Sequence, residues 1–248
     1  MICKNKNTAE LVGLSFGDGG LTERKGTNRL RFQLRGDFSE DREHYNSHIN
    51  PLFNKEIMNP LFGRNVGIVF NKNAGFYGIS VESEKLIILN ELGIPIGPKK
   101  ELPIPDWIRT NDIYAKKFLR GLLDTDGSVF CQKNYNTKIN RHTGIRIRIE
   151  CSSEVLIKET CNLIKSFSIR CTFHTKNKKQ KSHWSNTYCA RIDGNIHIER
   201  WFKLIGSKNP KHITKFQIWK KFGFCPPYTT LEERKKILKG EINPNSYY

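Results

Sequence analysis

Leu119-Arg120-Gly121-Leu122-Leu123-Asp124-Thr125-Asp126-Gly127 has a counterpart near the amino terminus, Leu11-Val12-Gly13-Leu14-Ser15-Phe16-Gly17-Asp18-Gly19. In each copy a Leu, a Gly and a second Leu stand at the first, third and fourth positions, with Asp at the eighth and Gly at the ninth. Comparable alternating and helical stretches follow both copies, the mark of an internally duplicated chain. Each copy reads as the last turns of a helix. Asn7, with Glu10 three residues on, offers a capping box for the first. Gly13 and Gly17 lie four apart on one helix face, and Gly121 and Thr125 repeat that spacing, which lets two helix backbones approach closely. Gly19 and Gly127 suit a left-handed helix-ending residue, which places Asp18 and Asp126 at the carboxyl ends.

A carboxylate is a poor choice there for stability, because the free carbonyls already make that end negative. Two such ends side by side would form an oxygen-rich site suited to a hard divalent cation. An Asp-Gly pair at one helix end is readily explained as a turn; two at matched positions call for another reason.

The two motifs resemble those of the LAGLIDADG homing endonucleases in their single-chain, two-repeat form, archaeal-type and intron-encoded. The second copy matches more closely; the first has Phe16 in place of the motif's earlier acid and Ser15 in place of Ile. Pro210-Lys211-His212 resembles an element near the end of archaeal-type members. The resemblance implies an α+β fold of two pseudo-symmetric αββαββα half-domains, with the motif helices packed at their interface and the antiparallel sheets forming a DNA-binding saddle. The halves span 1–98 and 110–248, the second with a C-terminal extension, joined by a linker at 99–109.

Charge supports a polyanionic partner: 42 Lys+Arg against 24 Asp+Glu give a formal net charge of +18, which favours nucleic acid. No apolar run is long enough to span a bilayer and the start lacks a signal-peptide core, so an intracellular protein, cytoplasmic or organellar and not secreted, is expected. The 7 cysteines form no CxxC pair and read as reduced packing residues. His44 and His48 share the spacing of a helical metal pair, but Tyr45 stands in the place of a metalloprotease Glu, so a solvated helix face is the expectation.

Between the motifs, residues 28–35 alternate: Leu30, Phe32 and Leu34 on one face, Arg29, Arg31, Gln33 and Arg35 on the other. A polar, exposed helix capped by Ser39 should run to Asn50, where Pro51 interrupts it. Strands near 66–70 and 76–81, joined by a turn at 71–75, and a helix from Ser83 to Leu92 complete the half. The proline-rich stretch 93–105 is the connection. In the second half a strand ending at Lys133 precedes a basic turn, 134–143. Ile145, Ile147 and Ile149 then alternate with Arg146, Arg148 and Glu150. A helix from Ser152 or Ser153 to Phe167, strands at 169–174 and 187–192, and a helix at 196–205 follow. The loop 176–184 carries Lys176, Lys178, Lys179 and Lys181, suited to a phosphate backbone. These arginines and lysines, with Gln33, form the expected DNA surface.

The resemblance implies hydrolysis of one phosphodiester bond per strand, a double-strand cut with 3′ overhangs in a long, non-palindromic double-stranded DNA target read by a monomer. Asp18 and Asp126 would hold Mg²⁺, with Mn²⁺ as a substitute, helped by the backbone carbonyls of Gly17 and Thr125. Family members add basic residues near the metals; Arg191 is the best candidate here and Arg35 a weaker one. Two other readings share these features: a maturase that binds its host intron RNA, and a catalytically silent DNA-binding regulator. An intein origin is less expected, because no splicing blocks flank the motifs.

Overall fold

The computed structural model describes residues 2–71, 76–133, 141–176 and 186–248. Most of the turn at 71–75, most of the basic turn after Lys133, and the loop with Lys178, Lys179 and Lys181 lie outside the described residues. The first half runs α1 (Lys6–Gly17), β1 (Gly19–Glu23), β2 (Leu30–Gly36), α2 (42–62), β3 (Val69–Asn71), β4 (Phe76–Ser83) and α3 (84–91). After the short α4 (Asp106–Arg109), the second half runs α5 (Asp112–Asp126), β5 (Gly127–Gln132), β6 (Gly144–Cys151), α6 (Glu154–Ser166), β7 (Thr172–Lys176), β8 (Thr187–Asp193) and α7 (Asn195–Leu204). Helices α8 (Pro210–Phe222) and α9 (Leu231–Lys239) form the extension. The sheets have matching antiparallel orders, β1-β2-β4-β3 and β5-β6-β8-β7. The expected α+β architecture of two αββαββα halves is therefore present.

Alternation decides which face each sheet buries. Leu30, Phe32 and Leu34 on β2 and Ile145, Ile147 and Ile149 on β6 are buried, and their alternate partners form the polar faces. At the centre, α1 packs on α5 with backbone against backbone. A Cβ at Gly13 would lie 2.2 Å from the Phe118 carbonyl oxygen, and one at Gly121 would lie 2.4 Å from that of Glu10. Phe16 meets Phe118 edge to face at 5.4 Å, so the aromatic that replaces an acid in the first motif fills the helix interface.

Three local expectations need correction. The cap of α1 is Asn5, whose side chain accepts from the Asn7 and Thr8 backbone while Thr8 completes the capping box. Glu10 is thereby free for another role. Gly19 and Gly127 are not left-handed; Gly127 is extended at φ −91°, ψ 164°. Each is Gly because a Cβ would lie 2.5 Å from Ser15 Cα or 2.4 Å from the Leu123 carbonyl oxygen. Finally, α2 passes through Pro51 and Pro60 and buries one whole face, with Tyr45, Ile49, Phe53, Ile57 and Met58 in the core. A widened π turn precedes each proline-bearing turn, with the Asn50 N–H donating to the Tyr45 carbonyl and that of Asn59 to the Asn54 carbonyl. Those turns absorb the crowding and the missing N–H that would otherwise break the helix.

Glu10, 1% exposed, ties the halves together. Its carboxylate accepts from Arg120 Nε on α5 at 2.9 Å and lies 2.7 Å from His48 Nε2 on α2, with a second bond from the Arg120 fork. His48 is thus a partner in an ion cluster rather than part of a solvated face. Burial pushes the Glu10 carboxyl up, but the His48 and Arg120 bonds outweigh it and bring it down to about 2. A depressed carboxyl contributes stability that is full above its unfolded pKa near 4.5 and is lost as pH falls toward 2. Glu10→Gln should leave Arg120 buried without its counter-charge and cost ~3 kcal/mol, read as a lower urea midpoint whose deficit shrinks in acid.

The connecting segment is fastened along its length. Gly97 N donates to the Leu21 carbonyl at 2.8 Å, Leu102 N to Ser153 Oγ at 3.1 Å, and Trp107 Nε1 to the Leu92 carbonyl at 3.2 Å. No helix among the described residues is long and apolar enough to cross a membrane. All 7 cysteines are free.

Candidate active site and nucleic-acid interface

Because α1 and α5 pack so closely, their carboxyl ends finish side by side. A Cβ at Gly17 would lie 2.0 Å from Thr125 Oγ1 and 3.1 Å from Asp126 N. Asp18 follows the last residue of α1 and Asp126 is the last of α5, both half-buried. Burial first, then the charges of Asp126 and Asp41, push the Asp18 carboxyl up to about 7 against the pull of Lys211 and Lys99. Burial raises Asp126 to about 6 against the same two lysines. The pair is short of positive charge.

Lys99 and Lys211 are the cations that act on both carboxylates, and sequence reading assigned neither. Lys99, in the connecting segment, donates to the carbonyls of Ser15, Phe16 and Gly17 at 2.8, 3.0 and 2.6 Å. It thereby neutralises the negative end of α1, where the sequence alone made an acid look unfavourable. The Gly17 carbonyl, expected as a metal ligand, is thus engaged by an ammonium. Thr125 Oγ1 lies 3.0 Å from the Gly121 carbonyl, inside its own helix.

Lys211 is held by a buried clamp. Its Nζ lies 2.8 Å from Asp41 Oδ1, and Asn209 Nδ2 donates both to that atom at 2.8 Å and to the Asp124 carbonyl at 3.0 Å. The Asp124 carboxylate, raised by burial to about 7, accepts from Ser207 Oγ and, at 2.8 Å, from Lys208 N. The second motif's earlier acid therefore anchors the start of the extension; Phe16 occupies that position in the first motif. His44, also fully buried, has its Nε2 3.7 Å from Asp124 Oδ2, and burial drags its pKa to about 3, so it is a neutral packing group.

The expected DNA-contacting residues that the structure describes lie on or beside the polar sheet faces, several of them braced by acids of the same or a neighbouring strand. Arg31 pairs with Glu82 on β4, opposite it in register. Arg35 bonds Gln33 at 2.6 Å and lies over the Phe76 ring. Arg146 and Arg191 share Asp193 at 2.9 and 2.7 Å, and Arg148 and Lys176 share Glu150 at 3.2 and 2.6 Å. Arg29 is exposed, and Lys133 directly follows β5. The Arg35 and Arg191 side chains are occupied on the sheets; the cations at the carboxylates come instead from the connecting segment and the extension. Pro210-Lys211-His212 was the one sequence signal that pointed to the latter.

Two carboxylates with hard oxygens suit a Mg²⁺-like ion, which keeps several waters and binds one or two carboxylates plus substrate phosphates. Among the described residues no cluster of three or more His, Cys, Asp or Glu side chains could hold a metal by itself. The donors fit an ion shared with a phosphate-bearing ligand.

Residues 114–206 match the family model of the LAGLIDADG-like domain. Over 174 residues, 65% of this chain, the sequence is 28% identical to a protein named replication factor C small subunit from Methanocaldococcus jannaschii, of which the match spans only 9%. Among solved structures, the chain is similar to variants of the homing endonuclease I-DmoI, with a TM-score of 0.57, 20% identity, and 81% of this chain and 95% of that one covered. It is similar to I-DmoI in complex with DNA and Mn, with a TM-score of 0.55, 23% identity, and 81% and 96% covered. The LAGLIDADG homing endonuclease I-LtrWI bound to target DNA gives a TM-score of 0.57 at 10% identity, covering 97% of this chain and 98% of that one.

Proposed function

We propose that this chain, a LAGLIDADG-like domain in its second half with the homing endonuclease fold throughout, is a site-specific endodeoxyribonuclease. It cuts both strands of a long, non-palindromic duplex, leaves 3′ overhangs, uses Mg²⁺ and acts as a monomer. The observation that carries this reading is the pair of half-buried carboxylates side by side at the packed ends of α1 and α5, both raised by burial, with Lys99 and Lys211 acting on them. The unequal motifs and sheet faces support an asymmetric target.

A bound divalent cation would supply Lewis-acid activation of the scissile phosphate and of the attacking water. The chain's residues do the rest. Asp18 and Asp126 face the two strands as oxygen donors fixed by rigid helix ends. Lys99 and Lys211 are placed to neutralise charge that develops on the phosphate during displacement. The sheet arginines hold the duplex in register through its backbone and read base edges.

The test is incubation of the purified protein with a DNA fragment library, with Mg²⁺ and then with EDTA. Metal-dependent cuts at one long site support the reading; tight binding without cutting points to a regulator, and preference for a structured intron RNA to a maturase. Lys99→Met and Lys211→Met should each slow cutting by roughly 10²–10³-fold with target binding retained, the size expected for removing one preorganised charge donor. Unchanged single-turnover rates in both variants would remove the lysines from the mechanism.

A further inference from the structure

A cavity of about 770 Å³ lies between β5, residues 37–41 and the extension. Four cations line it: Lys133, which has a partner of its own, and Lys211, Lys215 and Arg234. Two of the last three are satisfied. Lys211 is held by Asp41 at 2.8 Å. Arg234, 1% exposed, pairs with Glu40 at 2.6 Å and bonds Thr214 Oγ1 at 3.1 Å and the Thr229 carbonyl. The Lys215 ammonium makes no hydrogen bond or ion pair among the described residues. Burial acts foremost against its charge, and Arg234 and Lys211 add to that, with Glu40 opposing them. A half-buried ammonium facing two like charges is costly unless an anion joins it. The acids on these walls are already committed to Arg234, Lys211 and backbone N–H groups, so the anion must come from outside.

Ser128, Phe130 and Gln132 place the cavity relative to the active site. They alternate along β5 on the face that carries Arg146 and Arg148, and all three line the cavity, as do Gly127, Cys131 and Lys133 along the same sheet edge. Ser128 and Phe130 lie two and four residues past Asp126, roughly 7 and 13 Å along an extended strand. With one phosphate per roughly 3.4 Å of each DNA strand, that is about two to four nucleotides. Ser128 and Gln132 add neutral hydrogen-bond donors.

We propose that this cavity is a phosphate-binding site anchored by Lys215, which seats a backbone phosphate of the DNA two to four nucleotides from the cut bond. The proposal rests on the reading of the chain as a DNA-cutting enzyme, and the test separates the two. Wild type, Lys215→Met and Lys215→Arg are titrated with target duplex in Ca²⁺ across a series of KCl concentrations. Lys215→Met is expected to weaken binding several-fold and to lower the salt slope by about one, with Lys215→Arg restoring both.

Duplexes carrying a single neutral methylphosphonate at successive positions locate the contact. One position in the stated window should weaken wild-type binding and have no further effect in Lys215→Met. In parallel, thermal melts compare potassium phosphate with KCl at equal ionic strength. Phosphate stabilisation of wild type but not of Lys215→Met, with unchanged DNA slopes, would keep the phosphate site but assign it to a free phosphate. An unchanged salt slope with no phosphate effect overturns the proposal. Should wild type bind no duplex at all, the nuclease reading fails, and the melts alone decide for or against the site.

Discussion

Asp18→Asn and Asp126→Asn are each expected to reduce double-strand cutting by roughly 10³-fold or more, while duplex binding in Ca²⁺ persists. Each removes a charged donor from a site where bound cation contributes several kcal/mol at about 1.4 kcal/mol per tenfold in rate. The same variants should make the metal-free chain more stable. Both carboxyls are raised in the folded state, Asp18 to about 7 and Asp126 to about 6, from an ordinary value of 3.8.

A raised carboxyl contributes stability below its unfolded pKa and loses it as pH rises through the folded value. Metal-free wild type should therefore lose stability between about pH 4 and pH 7, with Asp124 contributing to the same trend, and Asp18→Asn should remove part of that slope, a gain of a few kcal/mol above pH 7. Cutting should rise over the same window in which stability falls, because a cation needs both carboxylates ionised. Thermal melts across pH without metal, beside cleavage with Mg²⁺, read both trends. A variant that cuts at the wild-type rate, or one that is destabilised throughout, would remove these acids from the proposed centre.

Gly121→Val is expected to abolish cooperative folding, or to cost about 5 kcal/mol or more if the chain still folds. A Cβ at this position would sit 2.4 Å from the Glu10 carbonyl oxygen and 2.8 Å from Leu14 N, so it meets backbone on two sides. Backbone cannot rotate away as a side chain can, and the branched valine adds two more carbons. Gly13→Val should behave alike, since its Cβ would meet the Phe118 carbonyl. Valine at Gly20, where nothing lies within 4 Å of a Cβ, should be tolerated and serves as the control. Circular dichroism melts of the three variants give the comparison; near-wild-type melting of Gly121→Val would contradict the close packing of α1 on α5.

Much of this architecture was legible from local pattern. Strands β2 and β6 announce themselves through alternation, because a half-buried strand must send every second side chain to the core. The paired small residues of the two motifs identify a helix–helix contact for a similar reason, since nothing larger fits at that spacing. Local rules failed where tertiary packing supplied what the local chain lacked. Pro51 looks like a helix end, but π turns and burial on the core carry α2 past it. His48 looks solvated until Glu10 arrives from another helix. Gly127 looks like a left-handed cap, but what excludes a side chain there is the backbone of Leu123.

The sequence by itself determined the duplication, the two half-domains, the basic character and the acids Asp18 and Asp126, because each is written in residues close together or in composition. Only the tertiary structure decided which cations serve those acids. Lys99 and Lys211 are remote in sequence from both motifs, and each comes to act on the paired acids because other parts of the chain hold it there: the carbonyls ending α1 for one, Asp41, Asn209 and Asp124 for the other. A charge acts through distance in space, and no pattern along the chain records that distance.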